Sequence, residues 1–200
     1  MIENLKQKIE ATITVSDELW NVIRNEWKEI HVKKGDKLVG YGELNTKVFF
    51  VLSGSLEISL ILNDGSSKSV WFYLDELFNV ATTQDSAFLG VPTKYEITVL
   101  EDSVLLQSDC HVLDKTAEKF PELYKFKADG VLQDSILMNE IRNHIITLKP
   151  LDFVQYLYDN FPIFVERIPA KNIANFMGIT PEWYSKLQKK LRLESIHENY

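Results

Sequence analysis

The sequence predicts an α+β protein: an N-terminal antiparallel β-roll of jelly-roll type with flanking helices, then one long helix, then an all-α helix-turn-helix. Three observations carry this reading. Apolar spacing changes from helical to strand-like near Ile30 and returns to helical near Pro121. The middle zone holds several short apolar runs separated by turn residues with no long helix between them, the pattern of an antiparallel barrel or roll. The last zone sets Gly178 and the pair Thr180-Pro181 between two short periodic segments, the punctuation of two helices joined by a tight turn. The 200 residues therefore divide into a roll over 1–120, a long-helix linker over 121–148 and a helix-turn-helix unit over 149–200.

The elements follow in chain order. Ser16 to Trp27 carries Leu19, Trp20, Ile23 and Trp27 at helical spacing, with Asp17 and Glu18 in the first turn, where acids favour a helix start. Val48 to Leu52 is a short apolar run ending at Ser53-Gly54. Ser55 to Leu62 alternates, with Leu56, Ile58 and Leu60 on one side, and Asn63-Asp64-Gly65-Ser66 turns the chain into the return strand Val70–Tyr73. Tyr95–Leu100 and Ser103–Leu106 are two further strands separated by Glu101-Asp102. From Pro121 to Leu148 the pattern is a long helix. Tyr124, Val131, Met138 and Ile145 lie seven apart, and Ile141 and Leu148 hold the companion position. Lys127 and Asp134 occupy that position earlier, so the apolar seam is clean only in the C-terminal half. A helix this long between two domains has little of its own chain to bury against, which points to a homodimer with Val131, Met138, Ile141 and Ile145 at the interface. Gly130 weakens the helix by about 1 kcal/mol relative to Ala and marks an expected bend. Lys149-Pro150 ends the helix. Leu151 to Tyr158 begins another, with Leu151, Val154, Leu157 and Tyr158 on one face, until Asn160-Phe161-Pro162 breaks it.

Composition excludes several classes. With 45% hydrophobic and 26% charged residues the chain has ordinary globular composition. No stretch approaches the roughly 18 apolar residues of a membrane span, and no membrane association is expected. The N-terminus lacks a basic region followed by an apolar run, so no secretory leader is expected. The single cysteine, Cys110, rules out an internal disulfide and a thiolate-rich metal site, which makes the reducing cytoplasm the expected compartment. The net charge of −7 disguises an asymmetry. From Arg167 to Arg192 six basic residues (Arg167, Lys171, Lys186, Lys189, Lys190 and Arg192) face one acid, Glu182, which makes this segment +5 and the rest −12. An acidic body with a basic end is expected where one module meets phosphate and the other does not.

The segment from Ile168 to Leu191 explains how. Ile173, Phe176 and Met177 give a short helix one apolar face, and Ala174 is small where helices cross closely. Gly178 supplies the positive φ of a helix-ending turn, and Ile179 fills the space between helices. Thr180 is a good N-cap, and Pro181 stands at the first helical position, where its missing N–H costs nothing. The next helix buries Tyr184, Leu187 and Leu191 and leaves Glu182, Ser185, Lys186 and Lys189 outward. Such a helix fits the major groove of double-stranded DNA. Thr180, Pro181, Glu182, Trp183 and Ser185 lie at the end that reaches base edges. Lys171, Lys186 and Lys189 suit phosphate or guanine, and Glu182 can accept from cytosine N4.

With these segments read, the chain resembles the Crp/Fnr family of bacterial transcription regulators, most closely the divergent branch common in Bacteroidetes, over nearly its whole length. The roll signature is similar at Val32–Leu38 and Phe50–Ile58, the last strands at Glu96–Ser103, and the most specific likeness is Ile168–Leu191. The resemblance implies a cyclic-nucleotide-binding-type roll, a homodimer on a pseudo-palindromic operator, no enzymatic activity, and operator contacts from Glu182, Ser185 and Lys186. Lysine stands at Lys186 where arginine is usual, which keeps phosphate attraction but loses the bidentate fork. The resemblance also shows a departure. Members that bind cyclic nucleotides carry a Gly-Glu pair for the ribose and an Arg with a small residue for the cyclic phosphate. Here those ligand-pocket positions are Asn79-Val80 and Thr93-Lys94, so no cofactor is expected, cAMP included, and the effector is an unknown small molecule or none. One cysteine excludes a cluster-based oxygen sensor, and His31, His111, His144 and His197 show no axial-ligand pattern for haem. Two alternatives compete: a small-ligand or cyclic-nucleotide binding module whose C-terminal helices are only structural, and a cupin-like enzyme, for which the strands lack the required His/Glu cluster.

Overall fold

The computed structural model describes residues 2–197 of the chain. The predicted C-terminal unit runs to residue 200, so its last three residues, and the side chains of residues 194–197 with that of His197 among them, lie outside the described residues. Two helices come first, α1 (Glu3–Glu10) and α2 (Asp17–Glu26). The strands are β1 (Lys28–Val32), β2 (Lys37–Val39), β3 (Lys47–Ser53), β4 (Ser55–Ile61), β5 (Ser67–Leu74), β6 (Val80–Ala81), β7 (Tyr95–Val99) and β8 (Ser103–Asp109), with α3 (Gln84–Leu89) between β6 and β7. After the roll come α4 (Cys110–Lys119), the long α5 (Glu122–Thr147), α6 (Pro150–Asn160), α7 (Pro162–Arg167), α8 (Ala170–Met177) and α9 (Pro181–His197).

The strands form two four-stranded antiparallel sheets, in the orders β1-β8-β3-β6 and β2-β7-β4-β5. The burial of β3 shows why its sequence is a continuous apolar run instead of an alternation. Phe49 and Val51 face the space between the sheets, while Phe50 turns outward beneath α1 and α2, beside Leu106 of β8. Both faces of that strand are covered, so both faces are apolar. The hairpin β4–β5 forms as its alternation predicts, with Leu56 opposite Tyr73 and Ile58 opposite Trp71. Gly54 joins β3 to β4 at φ +109°, and a Cβ there would lie 2.0 Å from Ser103 Oγ, so the close approach of the two loops requires glycine. The capping logic holds at α2, where Ser16 Oγ accepts from Leu19 N at 3.1 Å.

α5 passes through Gly130 as continuous α-helix. Its packing corrects one sequence expectation. Ile141 is 1% exposed and belongs to the core shared with α6 of its own chain, so it has no surface left for a second copy. Met138 and Ile145 are half-buried against the same core, and of the four expected interface residues only Val131 is exposed. The exposed apolar residues of α5 are instead Tyr124, Val131, Leu132, Ile136 and Ile146. On α6, Phe153 joins Val154 and Leu157 in the buried face, while Leu151 and Tyr158 are half-buried.

Candidate nucleic-acid interface

The helix-turn-helix is built as the residues require. α8 ends at Gly178, in the left-handed conformation at φ +75°, and Gly178 N donates to Asn175 O at 3.0 Å. Ile179 packs on the core, and Thr180 Oγ1 accepts from Trp183 N at 3.2 Å to cap α9. Tyr184 is fully buried, Leu187 and Leu191 are half-buried, and Ile173 and Ala174 of α8 are fully buried. Burial lifts the Tyr184 phenol far above its ordinary range, with Tyr158 adding to the effect, and Gln188 Nε2 bonds to the Tyr158 hydroxyl at 3.0 Å. The inner face is thereby fixed. Thr180, Pro181, Glu182, Ser185, Lys186 and Lys189 are exposed, as is Lys171 at the start of α8. Trp183 is 47% exposed, so its indole stands at the rim of this face.

The cation tally changes in one respect. Arg167 is not part of the outer face. Its guanidinium binds Asp75, after β5, and Glu101, before β8, with Nη2 to Glu101 Oε1 at 2.7 Å and Nε at 3.2 Å. Sequence reasoning missed this pair because its partners are 92 and 66 residues away. The same is true of Asn175. β5 is the outermost strand of its sheet, with backbone groups free to pair. Asn175 Oδ1 accepts from Ser69 N at 2.8 Å, and its Nδ2 donates to Ser67 O at 3.1 Å. Lys68 Nζ donates to Asn175 O, while Phe176 reaches Trp71 and Phe72 edge-on at 6.1 and 5.8 Å between centroids. The helix-turn-helix is thus locked to the roll through α8, leaving the polar face of α9 open.

The positions expected to line a ligand pocket are not brought together by shared partners. Asn79 accepts from Lys8 Nζ of α1 and donates to Asp75 O at 3.4 Å, and Val80 pairs with Phe50 and packs beneath α1 and α2. Thr93 is buried and Lys94 exposed. Both bind the carboxylate of Asp85 at the start of α3: Thr93 Oγ1 donates to Oδ1 at 2.8 Å and Lys94 N to Oδ2 at 2.9 Å. The Thr93 hydroxyl and the Lys94 backbone N–H thus already hold an anion from this chain.

Among the described residues no group of three His, Cys, Asp or Glu side chains is placed to hold a metal ion. His31 is exposed beside Glu29, His111 is exposed, and His144 stacks on Tyr156 at 4.0 Å with Nδ1 donating to Glu140 O. Cys110 is buried; burial first, then Asp109 and Asp114, push its thiol up to about 11, away from thiolate reactivity. No helix among the described residues is long and apolar enough to cross a membrane.

No protein-family model matches the sequence, and no curated protein matches it. Solved structures do match. The c-di-GMP-responsive global regulator CLP of Xanthomonas campestris superposes with a TM-score of 0.69 at 12% identity, over 90% of this chain and 93% of that one. The likeness is one of architecture: an antiparallel roll, a long helix and a C-terminal helix-turn-helix. FixK2 of Bradyrhizobium japonicum gives 0.65 at 17% identity, over 85% and 86% of the two chains. A cyclic-nucleotide-binding domain from Methylobacillus flagellatus gives 0.60 at 10% identity, over 75% and 86%. At these identities the likeness is one of fold alone.

Proposed function

We propose that this chain is a DNA-binding transcription regulator, not an enzyme, acting in the cytoplasm as a homodimer on a pseudo-palindromic operator. The observation that carries the reading is α9. One face is anchored by buried Tyr184, and the opposite face presents Glu182, Ser185, Lys186 and Lys189, with Thr180, Pro181 and Trp183 at its N-terminal end and Lys171 nearby. A helix held on one side and polar on the other is what the major groove admits. CLP, similar in fold, is by its description a regulator of gene expression. The second copy is supported by α5, where Leu132, Ile136 and Ile146 are 58%, 59% and 73% exposed in the single chain. Large aliphatic side chains this open on one helix suit a symmetric helix pair. Of the expected interface, Val131 stays in this reading, with Met138 and Ile145 at its edge.

The cyclic-nucleotide site of the roll has been given up. The Asp85 carboxylate holds Thr93 Oγ1 and Lys94 N, and a phosphate brought there meets like charge. Asn79 and Val80 serve the α1 side of the roll. cAMP is then neither a ligand nor a co-regulator, and control comes from another small molecule or from none. The test is selection of bound duplexes from a random pool. The expected consensus is a pseudo-palindrome with half-sites about one helical turn apart. Tight stoichiometric binding of one protomer to a single half-site overturns the dimeric reading, and selection of no sequence overturns the regulator reading.

A further inference from the structure

A cleft of about 260 Å³ opens where three units meet: β5 of the roll, the C-terminal half of α5, and α8 of the helix-turn-helix. Val70, Trp71, Met138, Ile145 and Phe176 give it an apolar lining, and Lys68 and Arg142 bring two cations, with no acid among the lining residues. Trp71 is 3% exposed, and its indole Nε1 is buried without a hydrogen-bond partner. Burial also lowers the Lys68 ammonium below the usual lysine range, so a counter-anion would relieve it. The volume lies just under the roughly 300–1,000 Å³ of small-molecule sites, which suits a one- or two-ring acid rather than a nucleotide.

We infer that this cleft is a binding site for a small amphipathic anion, an aromatic or aliphatic carboxylate. The carboxylate would sit between Lys68 and Arg142, with the apolar body on Met138, Ile145 and Phe176. The site is separate from the Thr93–Asp85 position inside the roll. Because Phe176 belongs to α8 and Lys68 also holds Asn175 O, occupancy bears directly on how the helix-turn-helix is seated. That the ligand is the effector rests on the regulator reading; that it binds does not.

The test uses 2-naphthoate and its uncharged counterpart 2-naphthamide on the full chain. The indole N–H resonances of the four tryptophans are followed by NMR, with Trp71 assigned from Trp71→Phe. The expected result is saturable perturbation of the Trp71 resonance by 2-naphthoate, about tenfold weaker with 2-naphthamide and about tenfold weaker in Arg142→Gln, the loss of one charge-assisted hydrogen bond. Arg142 is exposed, so that variant stays folded even if Trp71→Phe does not. No saturable perturbation, or equal binding of acid and amide, overturns the site. Duplex affinity is measured in the same samples. Ligand binding with no DNA binding at any occupancy keeps the site and overturns the effector role, and DNA binding without ligand binding overturns the site and its effector role while keeping the regulator reading.

Discussion

Asp134 is the residue at which the long helix contradicts its own pattern. It sits half-buried on α5, where its apolar seam is interrupted, facing Lys8 of α1 and the Tyr73 hydroxyl of β5. Burial raises its carboxyl above the ordinary range, and Lys8 only partly offsets this. A raised carboxyl means the folded state holds the proton more tightly than the unfolded chain. Its contribution to stability is therefore present below the unfolded value and is lost as pH rises through the folded one. Asp134→Asn is expected to melt higher than the parent at neutral pH, with the difference shrinking as pH falls into the carboxylate range. A difference that does not change with pH in thermal unfolding would contradict this. Arg167 makes the complementary point. It counts as a basic residue in the C-terminal segment, yet it is committed to Asp75 and Glu101, so in the proposed reading the cations on the exposed face of α9 are Lys186 and Lys189.

At the scale of elements, α5 offers the cleanest measurement. A Cβ added at Gly130 meets nothing within 4 Å, and the position is helical. Gly130→Ala is expected to stabilise the protein by about 0.5–1 kcal/mol in urea unfolding, through the helix backbone alone. A loss of stability would show that the helix needs glycine's freedom there. Which elements were legible follows from how local their signals are. The β4–β5 hairpin shows in an alternation closed by Asn63-Asp64-Gly65-Ser66, and the α8–α9 turn shows in Gly178 and Thr180-Pro181. Short elements had no such signal. β6 has two residues and α3 six, too few for a period to register, and α4 starts directly from β8 at an Asp109 cap with no turn between them. The buried face of α5 was misplaced for a related reason. The seven-residue spacing is real, but the partner of Ile141 is α6 of the same chain, which no local pattern announces.

At the scale of the whole molecule, one apolar core runs from the roll through α5 into the helix-turn-helix, so the C-terminal unit is seated on the roll and not tethered to it. The outward face of α5 stays uncovered in the single chain, and the proposed dimer places the second copy there. Leu132→Glu combined with Ile136→Glu is expected to convert a dimer to a monomer in light scattering while leaving the fold intact, because both side chains are exposed in the single chain. An unchanged mass would place the interface elsewhere. The proposed reading of DNA by α9 is tested directly by duplex affinity in fluorescence anisotropy across salt concentrations for the parent and Lys186→Ala. The logarithm of the association constant is expected to fall linearly with the logarithm of salt. Lys186→Ala should bind more weakly, with a slope shallower by about one for each protomer engaged. Binding that ignores salt, or a variant with unchanged slope and affinity, would contradict it.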